Sequence, residues 1–176
     1  MTRPKLGLIG IIHEEANQDF WGTMERIAAI GYEGIEGGAK LLEGDAKANV
    51  ARFRSLGLQV ATHSVSKDLL ADGKELDRII REAHLLETKD VTLWWAPADS
   101  RDQLLRDAEL YNAAGARLAA EGLRFCYHNH AHEFRNTFNG VYALDILAEH
   151  TDPKAVYFRL DVAWITLVGA DPAHIL

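Results

Sequence analysis

The sequence holds a single cysteine, Cys126, among 176 residues, so no internal disulfide can staple the chain. Set in a strand-like run, that thiol reads as a small buried apolar group in a reducing compartment. There is also no run of Lys or Arg, and 26 acidic against 19 basic residues leave a net charge of -7. A nucleic-acid backbone needs a basic face, so nucleic acid drops out of the expected partners. The apolar stretch from Leu6 to Ile12 is too short to cross a membrane, and it runs into His13, Glu14 and Glu15 without a small-residue cleavage site. The expectation is a soluble cytoplasmic protein with no membrane partner. Neither GxGxxG nor GxxxxGK[ST] follows the first apolar run, which removes the phosphate loops common in open α/β sheets. What remains is 48% hydrophobic content in a length that suits one domain, 1–176, with a buried core.

One stretch concentrates ligand-capable side chains, Leu123 to Phe134, LRFCYHNHAHEF. Strand alternation places Leu123, Phe125 and Tyr127 on one face and Arg124, Cys126 and His128 on the other. Beyond His128 the strand should give way to a loop carrying Asn129, His130, His132 and Glu133. Imidazole and carboxylate together are the donors of a divalent-metal site or of an acid/base site.

The rest of the chain repeats one grammar. Leu6 to Ile12 reads as a first strand buried on both faces, and a helix from Asn17 or Asp19 puts Phe20, Met24, Ile27 and Ala28 on one stripe before Gly31. Tyr32 to Glu36 is a strand, Ala46 to Leu56 a helix closed by Gly57, and Leu58 to His63 the third strand. Leu76, Ile79, Ile80, Ala83 and Leu86 line a helix before the strand Val91 to Trp95. Ser100 with Gln103 forms a capping box, and Leu104, Ala108, Tyr111, Gly115 and Leu118 face one way up to Gly122. Val141 to Glu149 is a shorter helix and Val156 to Asp161 the sixth strand.

Strands alternating with helices imply parallel strands with right-handed crossovers, as a barrel or an open doubly wound sheet. The missing phosphate loops favour the barrel. So do Glu36, His63, Trp95, His128 and Asp161, each at the C-terminal end of an expected strand, where barrel enzymes keep their sites. Counting back by twos gives Gly34, Ala61 and Gln59, Cys126 and Arg124, and Arg159 on the same faces, all small or polar, with apolar residues opposite.

GYEGIE, a strand ending in His63, YHNHAHEF, LDVAW and GADP follow one another in an order that resembles the sugar phosphate isomerase/epimerase family, with a xylose isomerase-like TIM barrel. Inosose dehydratases and keto-sugar epimerases belong to the same kin. The resemblance implies a (β/α)8 barrel and a divalent ion, Mn2+, Mg2+ or Co2+, held by two glutamates, an aspartate and a histidine. It makes Asp161 the aspartate and Glu133 the first glutamate, although some branches place that ligand where His128 stands. The other two ligands would lie on later strands. The implied chemistry is proton abstraction next to a carbonyl through an enediolate, with Glu133 moving the proton and a sugar as the small-molecule substrate. Glu36, His63, Trp95, His128 and His130 would line the sugar.

Dehydration by the same first step, a non-catalytic sugar- or metal-binding barrel, and an endonuclease on the same fold are the competing readings. Trp94 and Trp95 face opposite ways, so at most one can be a sugar platform, and His84, His150 and His174 are read as surface residues. With six strands and five finished helices against the eight of each in a closed barrel of about 250 residues, the chain is expected to be a barrel truncated after about six units. Asp171-Pro172 announces a helix with five residues left to run. Open strand edges would favour pairing with a second copy, and metal binding and turnover by the short chain are expected to be weak.

Overall fold

The computed structural model describes residues 3–175 apart from the side chain of His174. Strands and helices alternate from the start: β1 (Gly7–Leu8), α1 (His13–Gln18), α2 (Phe20–Ile30), β2 (Gly34–Glu36), a 3-10 turn (Ala39–Leu42), α3 (Ala46–Ser55), β3 (Gln59–Val65), α4 (Lys67–Ala71), α5 (Gly73–Leu85) and β4 (Asp90–Leu93). There follow α6 (Arg101–Ala120), β5 (Arg124–His128), α7 (His132–Arg135), the short strands β6 (Thr137–Phe138) and β7 (Val141–Tyr142), α8 (Ala143–His150), β8 (Val156–Arg159), α9 (Val162–Leu167) and α10 (Pro172–Ile175). The residues gather into two compact units. One runs to Ser64 and adds Arg78–Val91, and the other comprises Val65–Asp77 and the chain from Thr92.

In the first unit β1, β2 and β3 pair in parallel, with Gly7 opposite Gly34 and Gly34 opposite Gln59. A Cβ on Gly34 would stand 2.5 Å from the Gln59 carbonyl oxygen, so only glycine allows this approach. The Asp19 side chain accepts from the Gly22 amide to start α2, and Gly31, in the left-handed region at φ 105°, stops it. Asp45 caps α3 through the Ala48 amide. These helices bring Met24, Ile27, Val50 and Phe53 onto Ile35, Leu58, Val60 and Leu86 as one buried cluster. Each large side chain removed from water there contributes about 1.5–3 kcal/mol.

The first strand departs from expectation. Only Gly7–Leu8 is extended, because Gly10 turns the chain at φ 63° and His13 already opens a helix. Leu6, Ile9 and Ile11 are 59%, 49% and 79% exposed, so this run is not buried on both faces. Among the described residues of its unit β1 has one ladder partner, β2, which leaves it an edge.

The second unit is organised by α6, which packs on β5, β8 and α8. The Ser100 side chain accepts from the Gln103 amide, while Gln103 Oε1 reaches back to the Asp99 amide, so the capping box closes one residue early. Tyr111 of α6 meets Phe125 and Tyr127 of β5 at ring-centroid distances of 5.6 and 5.7 Å, and Phe158 of β8 meets Tyr127 at 6.0 Å. This is the helix face of the strands. Asn112 ties α6 to the end of α8, donating to the His150 carbonyl and accepting from the Asp152 amide. β5 and β8 run parallel with His128 opposite Arg159. The helix expected over Val141 to Glu149 begins two residues later, since Val141 and Tyr142 pair with Phe138 and Thr137 across an Asn139-Gly140 turn whose two residues both have positive φ. The helix expected after Asp171 forms as α10, and Leu176 lies outside the described residues. Among the described residues, no helix is long and apolar enough to cross a membrane.

Two predictions come from these contacts. A Cβ on Gly115 would overlap the Ala155 carbonyl where α6 meets the segment before β8. Overpacking of about 1–3 kcal/mol should outweigh a helix-propensity gain of at most about 1 kcal/mol, so Gly115→Ala should lower the midpoint of urea unfolding. A midpoint at or above wild type would show that the helix can stand off freely.

The second prediction concerns His63, buried on β3 with Nε2 3.0 Å from Oε2 of Glu82 on α5, whose other oxygen accepts from Arg78. Burial holds the imidazole below its ordinary value, and the Glu82 contact pulls the other way. The unfolded chain therefore binds the proton more readily, so this contribution to stability is complete above about pH 6.5 and is lost as pH falls from there towards the folded value. In Glu82→Gln the His63 midpoint, followed by NMR titration of the ring, should drop further, and a rise would overturn this account.

Candidate active site

The site residues named from the sequence divide between the units, Glu36 and His63 in the first, Trp95, His128, His130, Glu133 and Asp161 in the second. Glu36 is the last residue of β2 and is half-buried. Pairing slips there: Ile35 faces Val60 but Glu36 faces Thr62, so Ala61 is an extra residue and strict alternation back from His63 is broken. His63 lies two residues inside β3 and gives its Nε2 to Glu82 of the helix layer. His13 is exposed at the start of α1, and His84 is exposed as expected.

In the second unit His128 ends β5 on the face opposite Phe125 and Tyr127, as alternation requires. Asp161 lies two residues past β8 because its side chain caps α9: Oδ1 accepts from the amides of Ala163 and Trp164 at 2.9 and 3.3 Å. The free oxygen, Oδ2, stands 4.0 Å from His128 Nε2. Asn129, fully buried, fixes this pair by accepting from the Asp161 amide at 2.7 Å and donating to the Asp161 carbonyl. His128 packs edge-on against His130 at 4.9 Å, and a row of rings continues from there. Trp164 lies 5.4 Å from His130, His132 stacks on it at 5.9 Å, and Trp95 lies 5.8 Å from His132. Trp95 is 43% exposed, and Trp94 on the other side of the chain is 51% exposed.

The loops under this row are pinned to each other. His132 Nε2 contacts the Ala96 carbonyl at 2.8 Å and the Asn136 amide donates to the Ala98 carbonyl at 2.7 Å, so the segments after β4 and β5 move together. Glu133 stands apart from the exposed groups. It is fully buried, with Oε1 accepting from the Tyr127 hydroxyl at 2.9 Å and Oε2 from the His130 amide at 2.8 Å.

Burial holds both His128 and His130 below the ordinary imidazole value, against the opposing pull of Asp161 and Glu133. Both rings are therefore neutral at neutral pH and offer lone pairs to a proton or an ion. With ligand distances of about 2.0–2.2 Å, His128 Nε2 and Asp161 Oδ2 can share one ion. Glu133 would have to leave its buried position to join them. Among the described residues, no group of three or more His, Cys, Asp or Glu side chains is arranged to hold a metal.

Sequence reasoning missed Tyr127 and Asn129 as site residues, although both lie inside the motif it singled out. The signal was there in Asn129, a polar residue between two histidines at a strand end. Trp164 closes the LDVAW motif, but its place beside His130 depends on α9 beginning at Asp161.

No protein-family model matches the chain, and no curated protein does. Solved structures do. A sugar phosphate isomerase/epimerase from Parabacteroides distasonis superposes with a TM-score of 0.82 at 21% identity, covering 99% of this chain and 73% of that one. The probable 3-DHS dehydratase AsbF from Bacillus anthracis gives 0.75 at 17%, covering 97% and 68%. A family 2 AP endonuclease from Brucella melitensis gives 0.71 at 15%, covering 98% and 74%. Likeness at these identities speaks for the fold and not for the reaction. The chain has the α/β, TIM-barrel-type fold of the xylose isomerase-like proteins, as the alternation of its strands and helices led us to expect.

Proposed function

We propose that this chain carries the catalytic half-site of a metal-dependent sugar or sugar-phosphate isomerase or epimerase. The reading rests on one observation above all, the pair of His128 and Asp161 held 4.0 Å apart at neighbouring strand ends beside the ring of His130. His128 and Asp161 would hold the divalent ion, Mn2+, Mg2+ or Co2+, and further donors would complete its shell. Such an ion, when bound, polarises a substrate carbonyl and so acidifies the neighbouring carbon. The chain's own residues supply the rest. Asn129 keeps Asp161 in register with His128, and the Trp164 indole offers a flat apolar face to a sugar ring. His130, half-buried beside the Trp164 ring, can exchange a hydrogen bond with a hydroxyl through the exposed part of its imidazole. Trp95, whose ring lies 5.8 Å from that of His132, keeps the substrate-lining role proposed for it from the sequence.

Proton removal next to a carbonyl, with the His130 imidazole as the base that takes the proton, gives an enediolate, and return of the proton from that imidazole to the neighbouring carbon or to the other face gives the isomer or epimer. Loss of a β-hydroxyl instead gives a dehydratase, the second reading, supported by the dehydratase among the structural neighbours. The endonuclease neighbour is set against the net charge of -7.

Exchange of the carbon-bound proton in D2O tests the shared first step. With Mn2+ and a panel of keto-sugars, deuterium should enter next to the carbonyl, stop on chelation with EDTA, and slow by about 10²-fold or more in Asp161→Asn, the range expected for losing a group that organises proton transfer. Exchange untouched by EDTA or by the substitution would sink the proposal.

A further inference from the structure

Glu133 is the carboxylate that the motif offers as a reacting group, yet its surroundings are those of a strut. Its carboxylate is shut off from solvent, each oxygen accepts one hydrogen bond, at 2.9 and 2.8 Å, and His132 Nδ1 stands 3.5 Å from Oε2. A carboxylate taken out of water survives only where hydrogen bonds replace its hydration, and losing one of them would cost more than the bond nets. One donor, the Tyr127 hydroxyl, comes from the helix face of β5, where the ring packs between Tyr111 and Phe158. Burial and the Glu133 charge push the Tyr127 phenol well above its ordinary value, so it stays a donor throughout the physiological range. The other donor is the backbone amide of His130, the residue whose ring touches those of His128, His132 and Trp164.

We infer that Glu133 is a positioning residue: it ties the Tyr127 phenol on the helix face of β5 to the His130 backbone in the loop beyond the strand, and thereby fixes the imidazole row, without itself touching substrate or ion. The geometry follows from chain order. β5 ends at His128, the chain turns through Asn129 to Ala131, and the single turn of α7 swings Glu133 back beneath the His130 amide, the reach-back half of a capping box. Charge-assisted bonds of this kind are about twice as strong as neutral ones, so the anchor is strong where the loop is short.

The inference depends on the isomerase reading only for what the imidazoles do, and its test reads the tie directly. Wild type, Glu133→Gln and Tyr127→Phe would be compared as full chains by NMR. The amide of His130 should exchange about tenfold faster or more in Glu133→Gln, the equilibrium equivalent of a charge-assisted bond at the low end of its range. The ring signals of His128, His130 and His132 should shift in both variants, since Tyr127→Phe keeps the carboxylate and removes its anchor. Should Glu133→Gln fail to fold, Tyr127→Phe carries the test through the same signals. Titration with Mn2+ supplies the second arm. An affinity loss shared by the two variants supports positioning, whereas a loss of about a hundredfold in Glu133→Gln that Tyr127→Phe does not share makes Glu133 a ligand and overturns the inference. Unmoved His130 and imidazole signals in both variants overturn it as well. If wild type takes up no Mn2+ at all, the metal-dependent reading fails while the amide and ring signals still decide the role of Glu133.

Discussion

A charge that folding seals from water dictates the structure around it. Glu133 needs donors, and the chain supplies one from the strand, the Tyr127 hydroxyl, and one from the loop that follows it, the His130 amide. That demand fixes how β5 must alternate: Tyr127 has to enter the layer beneath α6 for its hydroxyl to reach Oε1, and His128, one residue on, is then forced to the other face. The loop inherits the constraint. Its backbone is held at His130 by the carboxylate, and the side chains of His132 and Asn136 are held by the carbonyls of Ala96 and Ala98, so the rings that rise from it are set by polar bonds within the protein.

Local chemistry made much of the fold legible. Asp19, Asp45 and Ser100 start their helices through side-chain oxygens, Gly31 ends one in the left-handed region, and the stripe of Ile79, Ile80, Ala83 and Leu86 is buried as its spacing implies. The failures have local causes too. HEEANQ has no apolar face, so α1, with no buried residue, gave no period to read. Asn139-Gly140 is a strong hairpin signal, but the strands it joins are two residues long, and the second, Val141–Tyr142, reads in sequence as the start of the helix that follows. Leu6 to Ile12 looked like a buried strand because hydrophobicity was weighed above the glycine that breaks it.

The site was legible to a lesser degree, for a reason that separates residue type from residue role. Which side chains cluster after β5 is a property of the sequence. What each one is free to do depends on partners far away along the chain. His63 meets Glu82, nineteen residues on, and no spacing rule could have paired them across a strand and a helix. Asp161 passes two residues beyond its strand because half of its carboxylate is engaged in capping α9, which leaves one oxygen facing His128.

The partition of acceptors then decides the chemistry the motif can offer. Of the two carboxylates near the imidazole row, the one with solvent access keeps a free oxygen and the sealed one has none. His128 and His130, held below the ordinary imidazole value by burial, are the rings whose Nδ1 atoms have no partner among the described residues. A motif written as three histidines and a glutamate therefore divides its labour: Glu133 is sealed from solvent and holds the His130 backbone, while the three rings pack against one another in a single row.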